Sequence, residues 1–284
     1  MRVLRTIAEM REASKGARRG GAVVGLVPTM GALHEGHRSL VKAARESCGW
    51  VVVSVFVNPL QFGPNEDLER YPRTFAEDCA LLERDGVDAV FAPGVAEMYP
   101  VGAETVVDVP GIGGRLDGAA RPGHFRGVAT VVAKLFNIVG PDRAFFGQKD
   151  AAQVAVLRAM VRDLNFDVDV VVCATVRDGD GLALSSRNRY LSVEERGWAL
   201  ALPRVLGGVE ARVREGEACA GCLREGLRAD LEGAEGVRVE YAEVVHPATL
   251  ETIDDVRGGA LVAVAAWVGG TRLIDNVVIE TEAR

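Results

Sequence analysis

The chain has 284 residues, 48% of them hydrophobic, and a formal net charge of −7, enough for one large folded unit and a smaller one, each with its own core. The acidic balance argues against a nucleic-acid partner, and any polyanion site must be locally basic against the overall field. No run approaches the ~18 apolar residues of a membrane span, and Arg2, Arg5 and Arg11 lead no signal-like segment, so the five cysteines read as reduced thiols of a cytoplasmic protein.

In chain order, residues 22–27 and 50–57 are β-branched apolar runs, as in strands buried on both faces of a parallel sheet. Between them Leu40, Ala43 and Ala44 give a short helix one apolar stripe, and Phe75, Cys79 and Leu82 do so for a second helix, which leads into a strand at 89–92. Val128, Val131, Val132, Leu135, Phe136 and Val139 repeat at helical spacing and predict a helix over 127–139. A short strand at 143–146, a helix over 151–164 with Asp150 as candidate N-cap, and a strand at 166–174 complete an alternating pattern. This predicts an α/β fold with a Rossmann-like, doubly wound parallel sheet. A polar stretch, 177–192, breaks the alternation. Ser192 and Glu195 form a capping box for the next helix, which Pro203 should kink or divide. A further helix near 223–231, a strand at 237–245 and a hairpin of 260–268 and 271–279 about Gly269-Gly270 describe a smaller α+β domain. The expected boundary lies between domains 1–177 and 178–284.

Chemistry gathers where strands give way to helices, the place at which open α/β sheets bind ligands. In Pro28-Thr29-Met30-Gly31-Ala32-Leu33-His34-Glu35-Gly36-His37, the glycines permit close backbone approach and the following helix offers N–H groups to phosphate. His34 and His37, three apart, share a face and can donate hydrogen bonds to developing phosphate charge. The alternative is a pair of surface histidines or half of a zinc site, which would have to recruit distant ligands. In Phe146-Gly147-Gln148-Lys149-Asp150, Lys149 suits phosphate as a point charge, whereas Asp150 could cap the helix, hold a ribose hydroxyl or do both. Leu184-Ser185-Ser186-Arg187 offers two hydroxyls and a guanidinium on a long loop. Gln61, after the second strand, can donate and accept toward a small polar substrate. His124 either faces the site or caps its helix.

Taken together, PTMGALHEGH (28–37), FVNPLQFGPNEDLERYPRT (56–74), RPGHFRGV (121–128), FFGQKDAAQ (145–153) and LALSSRNRYLS (182–192) resemble the signature blocks of the pantothenate synthetase family, in its order and spacing. The H-x-G-H element alone is shared with other adenylyl-transferring enzymes, so a relative acting on a different small substrate is the nearest rival, and a nucleotide sensor or zinc module a more distant one. The resemblance implies an ATP-dependent ligase that joins pantoate to β-alanine through an adenylate. It implies that Met30 to His37 bind ATP, with His34 and His37 on the phosphates and His37 as proton donor. It further implies that Gly147, Gln148, Lys149 and Asp150 bind ATP, that Val176 meets the adenine through its backbone, and that Leu184, Ser185, Ser186 and Arg187 complete the nucleotide site. Lys149 and Arg187 join the histidines as catalytic groups. Gln61 and Gln153 would hold pantoate, Gln61 would serve β-alanine, and Mg²⁺ would ride on ATP oxygens without an assigned protein ligand. The family also implies a homodimer whose smaller domain closes over the larger. Cys219 and Cys222 lie outside the family pattern and read as incidental helix residues.

Overall fold

The computed structural model describes residues 1–64, 66 and 68–280; Asn65 and Asp67 of the second motif block lie outside them. A six-stranded parallel sheet has the order β1-β4-β3-β2-β5-β6. Its strands are β1 (Arg2–Leu4), β2 (Val24–Thr29), β3 (Trp50–Val55), β4 (Ala89–Phe91), β5 (Arg143–Gly147) and β6 (Asp169–Cys173). The long helices around it are α1 (Ile7–Arg19), α2 (Glu35–Ser47), α3 (Phe75–Arg84), α7 (His124–Val139) and α8 (Ala151–Asp163), with single turns α4 (Val95–Met98), α5 (Pro110–Gly113) and α6 (Asp117–Ala120) between α3 and α7.

The apolar runs act as doubly buried strands. Val24, Leu26 and Val52 join the core under α1, α7 and α8, whereas Val27, Val51 and Val53 join the core under α2 and α3. Successive strand residues point to opposite faces, so a continuous apolar run is what a central strand covered by helices on both sides requires. The sequence reading has no place for β1, a three-residue edge strand paired with β4 and too short to show a pattern. It also ends β2 at Val27, whereas the strand runs on to Thr29 and takes the first residues of the histidine motif into the sheet.

The order reverses between β2 and β5: β2 leads outward to β3 and β4, β5 outward to β6. The crevice of such a sheet opens beyond the carboxyl ends at that reversal. Residues 30–37 follow β2 there and residues 148–153 follow β5.

Beyond residue 177 the chain forms α9 (Val193–Ala199), α10 (Ala201–Arg214), α11 (Ala220–Glu232) and an antiparallel sheet β7-β8-β9 of Val237–Val245, Ala260–Val268 and Thr271–Ile279. The Ser192–Glu195 capping box opens α9 as expected. The helical stretch divides at Leu200, and Pro203 lies in the first turn of α10, where its missing N–H costs nothing. The central strand β8 is buried on both faces. Val262, Val264 and Ala266 pack under the helices of this unit, while Leu261 and Ala263 enter the core of the parallel-sheet body.

Candidate active site

A cavity of about 740 Å³ lies between the parallel sheet's carboxyl rim and the antiparallel sheet. Met30, Gln61, Lys149, Asp150, Gln153, Ser185 and Arg187 line it, together with the strand β9 residues Arg272 and Asp275. Five distant segments of the sequence thus meet at one rim.

The histidine motif is held from beneath. Gly31 has φ +83° and Ala32 φ +51°, so the chain takes two left-handed steps after β2. This turn aims the Ala32 and Leu33 N–H groups at Asp78, whose carboxylate accepts them at 3.0 and 2.9 Å from a site 3% exposed. Asp78 and Leu82 are the buried residues of α3, whereas Phe75 and Cys79, expected in its stripe, are half-buried. An acidic residue at helical spacing within an apolar stripe was the available signal, and periodicity weighted toward apolar residues passes over it.

His34 is the N-cap of α2. Its Nδ1 accepts from Gly36 N–H at 3.1 Å, and His37 Nδ1 accepts from His34 N–H at 3.3 Å, a capping box built from two imidazoles. With Nδ1 committed as an acceptor, each neutral ring carries its proton on Nε2. The ring centroids lie 4.2 Å apart. Burial, then the neighbouring His34, pushes His37 down to about 3, and burial with the Lys149 charge lowers His34. Neither ring is among the groups lining the cavity, but both feel the charges of Lys149 and Asp150.

Gln61 lies in a single turn, Pro59–Gln61. Tyr99 hydroxyl donates to Asn58 Oδ1 at 2.8 Å, Asn58 Nδ2 donates to Gln61 Oε1 at 3.0 Å, and Gln61 Nε2 lies 3.2 Å from Met30 Sδ. This relay fixes which way the Gln61 amide faces. The turn also rests on α7 at Gly127, where a Cβ would stand 2.2 Å from the Leu60 carbonyl oxygen. Only glycine admits that approach.

His124, left open between a site role and a capping role, lines the cavity and supports this turn. Arg121 Nη1 donates to His124 Nε2 at 3.2 Å, so the Nδ1–H donates to the Gln61 carbonyl at 2.8 Å. Gly123 occupies the N-cap position of α7, so His124 does not cap it. Burial and the adjacent Arg121 guanidinium lower His124 to about 4.

Lys149 and Asp150 stand 3.6 Å apart in the single turn Gln148–Asp150. Asp150 occupies the N-cap position of α8 without a side-chain capping bond, so its carboxylate remains available to the cavity. Gln148 turns away from the cavity toward Asn276 of β9. The 177–192 stretch is bridged at Arg177 and Ala183, and the Leu184 N–H donates to the Val176 carbonyl at 3.0 Å. Ser186 opens the turn Ser186–Tyr190, with Ser185 Oγ accepting from the Arg187 N–H at 3.3 Å.

Three further polar residues lie outside the reading by motif. Arg272 of β9 donates to Asp117 Oδ1 at 2.7 Å and to Glu240 of β7 at 2.9 Å, and Trp267 Nε1 donates to Glu240 at 3.1 Å. A sequence offers no signal for such a group, because its members are 123 or more residues from Asp117. Among the described residues, one trio could hold a metal ion, Glu217, Cys219 and Cys222. Cys219 is the N-cap of α11 and its Sγ accepts from the Cys222 N–H at 3.2 Å, which accounts for the pair as helix-end residues.

A family model described as Pantoate-beta-alanine ligase matches residues 2–278. A pantothenate synthetase from Acidobacterium capsulatum is 60% identical over 301 residues, spanning 100% of this chain and 99% of that protein. The crystal structure of pantothenate synthetase from Thermus thermophilus superposes with a TM-score of 0.91 at 49% identity, covering 98% of this chain and 99% of that one. That of pantoate-beta-alanine ligase from Francisella tularensis, complexed with beta-gamma ATP and beta-alanine, gives a TM-score of 0.77 at 31% identity over 98% and 97% of the two chains.

Proposed function

The chain belongs to the pantoate-beta-alanine ligase family, and from that premise we propose that it spends ATP to join pantoate to β-alanine through a pantoyl-adenylate. The observation that carries the reading is the shared cavity in which Lys149 and Asp150 face Gln61 and Gln153. A nucleotide and a small hydroxy acid have complementary groups waiting in one space.

A carboxylate does not acylate an amine directly, because oxide is a poor leaving group. Attack of the pantoate carboxylate oxygen on the α-phosphorus forms a P–O bond and expels pyrophosphate. The β-alanine nitrogen then attacks the acyl carbon, forms the amide and expels AMP. The protein's part is positioning and charge neutralisation. Lys149 meets phosphate oxygens as a point charge, and Arg187 closes on them from the 184–187 segment. His34 and His37, uncharged, donate through Nε2–H; the lowered value of His37 makes it a hydrogen-bond donor rather than an imidazolium acid at neutral pH. Asp150, beside Lys149 and without a capping bond, takes the ribose, Val176 meets the adenine through its backbone, and residues 30–33 complete the ATP loop. With its side chain committed to Asn276, Gln148 contributes backbone only. The Gln61 amide, oriented by Asn58, and Gln153, one turn into α8, hold pantoate, and Gln61 then serves β-alanine. At the phosphate end Asp150 offers a hard oxygen donor, while the imidazoles and the ammonium do not suit Mg²⁺, so the ion would be carried mainly on nucleotide oxygens, where it would neutralise phosphate charge.

In this reading residues 1–177 carry ATP and pantoate, and residues 178–284 form the lid. A homodimer and a cytoplasmic setting belong to the same proposal. Among the described residues, no helix is long and apolar enough to cross a membrane.

The test is exchange of labelled pyrophosphate into ATP without β-alanine. Exchange that requires pantoate is expected. Exchange supported equally by unrelated hydroxy acids, or AMP formed without pantoate, would overturn the assignment.

A further inference from the structure

The turn that carries Lys149 is three residues long, follows a glycine that offers no side chain to cap it, and ends at Asp150, whose side chain makes no capping bond to α8. Its anchor comes from the other sheet. Asn276 of β9 is 4% exposed and lies opposite Ala263 of β8, a small residue on the strand that enters the parallel-sheet core. Asn276 Nδ2 donates to the carbonyls of Gln148 and Lys149 at 3.0 and 2.9 Å, and its Oδ1 accepts from Gln148 Nε2 at 3.0 Å. One buried amide therefore spends both donors and an acceptor on this turn.

The preceding residue holds the opposite wall. Asp275, 2% exposed, accepts both Arg177 nitrogens at 2.6 and 3.0 Å and the Asn276 N–H at 2.8 Å. Arg177 in turn donates to Gly181 and bridges to Ala183, at the root of the 184–187 segment. Two neighbouring residues of one strand thus set the separation between the Lys149 turn and the loop bearing Arg187.

We propose that Asn276 is a positioning residue for adenylate formation, holding the backbone beneath Lys149 so that its ammonium meets the transferring phosphate. The inference rests on the reading of Lys149 as a phosphate contact. A displacement of about 1 Å at a positioning group costs on the order of 10²-fold in rate. A buried amide that merely docked two sheets would affect stability and leave turnover of the folded enzyme alone.

The experiment is a double-variant cycle in the full chain, read by pantoate-dependent pyrophosphate exchange and by hydrogen exchange of the 147–151 backbone. Asn276→Ala is expected to lower kcat about 10- to 100-fold, with KM for pantoate within about twofold. The same substitution in a Lys149→Ala background should cost less than about twofold more, because nothing is left to position. Asn276→Asp, which turns a carboxylate oxygen toward two carbonyls, should lose at least as much as alanine. Faster exchange of the 147–151 amides should accompany both. Should Asn276→Ala not fold, Asn276→Ser carries the same cycle. Full turnover in folded Asn276→Ala, or losses that multiply in the double variant, would overturn the positioning role while leaving Lys149 in place. Wild-type turnover in Lys149→Ala alone would instead remove Lys149 from the phosphates, and this proposal with it.

Discussion

The turn after β2 and the strand β9 border the same cavity and carry their polar groups by opposite means. The turn concentrates its chemistry in sequence: left-handed steps at Gly31 and Ala32, two capping imidazoles and a helix start crowded into ten residues. Strand β9 hides its chemistry, since Arg272 and the Asp275-Asn276 pair are set among apolar residues and satisfy partners far away in sequence. The turn's own N–H groups are taken up by Asp78 and by its two imidazoles, which fixes its shape. Groups that hold other segments in place sit inside a rigid strand, because a support must be stiffer than what it supports.

If that contrast is right, breaking the β9 side should first cost stability. Arg272 joins Asp117 and Glu240, and all three are largely shielded from water. Arg272→Ala leaves two carboxylates without their cation and should destabilise the fold by about 3–5 kcal/mol, the cost of opening a buried ion pair. Urea unfolding measures it, and a midpoint within error of the parent would mean the group is solvated. On the turn side, Asp78→Asn keeps size but can accept from only one of the Ala32 and Leu33 N–H groups. A loss of roughly 1.5–3 kcal/mol is expected, the worth of a hydrogen bond to a charged group. It should come with weaker ATP binding, seen by calorimetry; unchanged affinity would show that the motif holds its shape without Asp78.

The smallest effect is one of pH. His124 is held at about 4, below its ordinary 6.5, by burial and by Arg121. As pH falls from about 6.5 toward 4, the unfolded chain takes up a proton that the folded chain refuses, so stability is lost over that window. His37, held at about 3, acts in the same direction. His124→Gln has no such proton to gain, and its Tm should fall less steeply between pH 6.5 and 4.5 than the parent's. Parallel curves would place the acid sensitivity elsewhere.

Much of the architecture was legible because it rests on local periodicity. The helical repeat from Val128 to Val139, the capping box at Ser192 and the hairpin about Gly269-Gly270 all need only near neighbours, and the structure has all three. What escaped needed distance. Strand β1 is defined only by its pairing with β4, and Asp78 matters only because a turn 45 residues earlier aims N–H groups at it. His124 could be resolved only by knowing that the Gln61 carbonyl lies 2.8 Å away.

From the sequence alone came the layered class of the fold, the family and the segments rich in cations and amides, since residue order carries period, turn chemistry and motif. Tertiary structure alone decided that Gln148 faces a strand rather than the cavity, that the imidazoles are neutral, and that β9 holds both walls of the site. Those outcomes depend on burial and on contacts between segments far apart in the chain. The energy of a hydrogen bond or a charge is set by what surrounds it, and only folding supplies the surroundings.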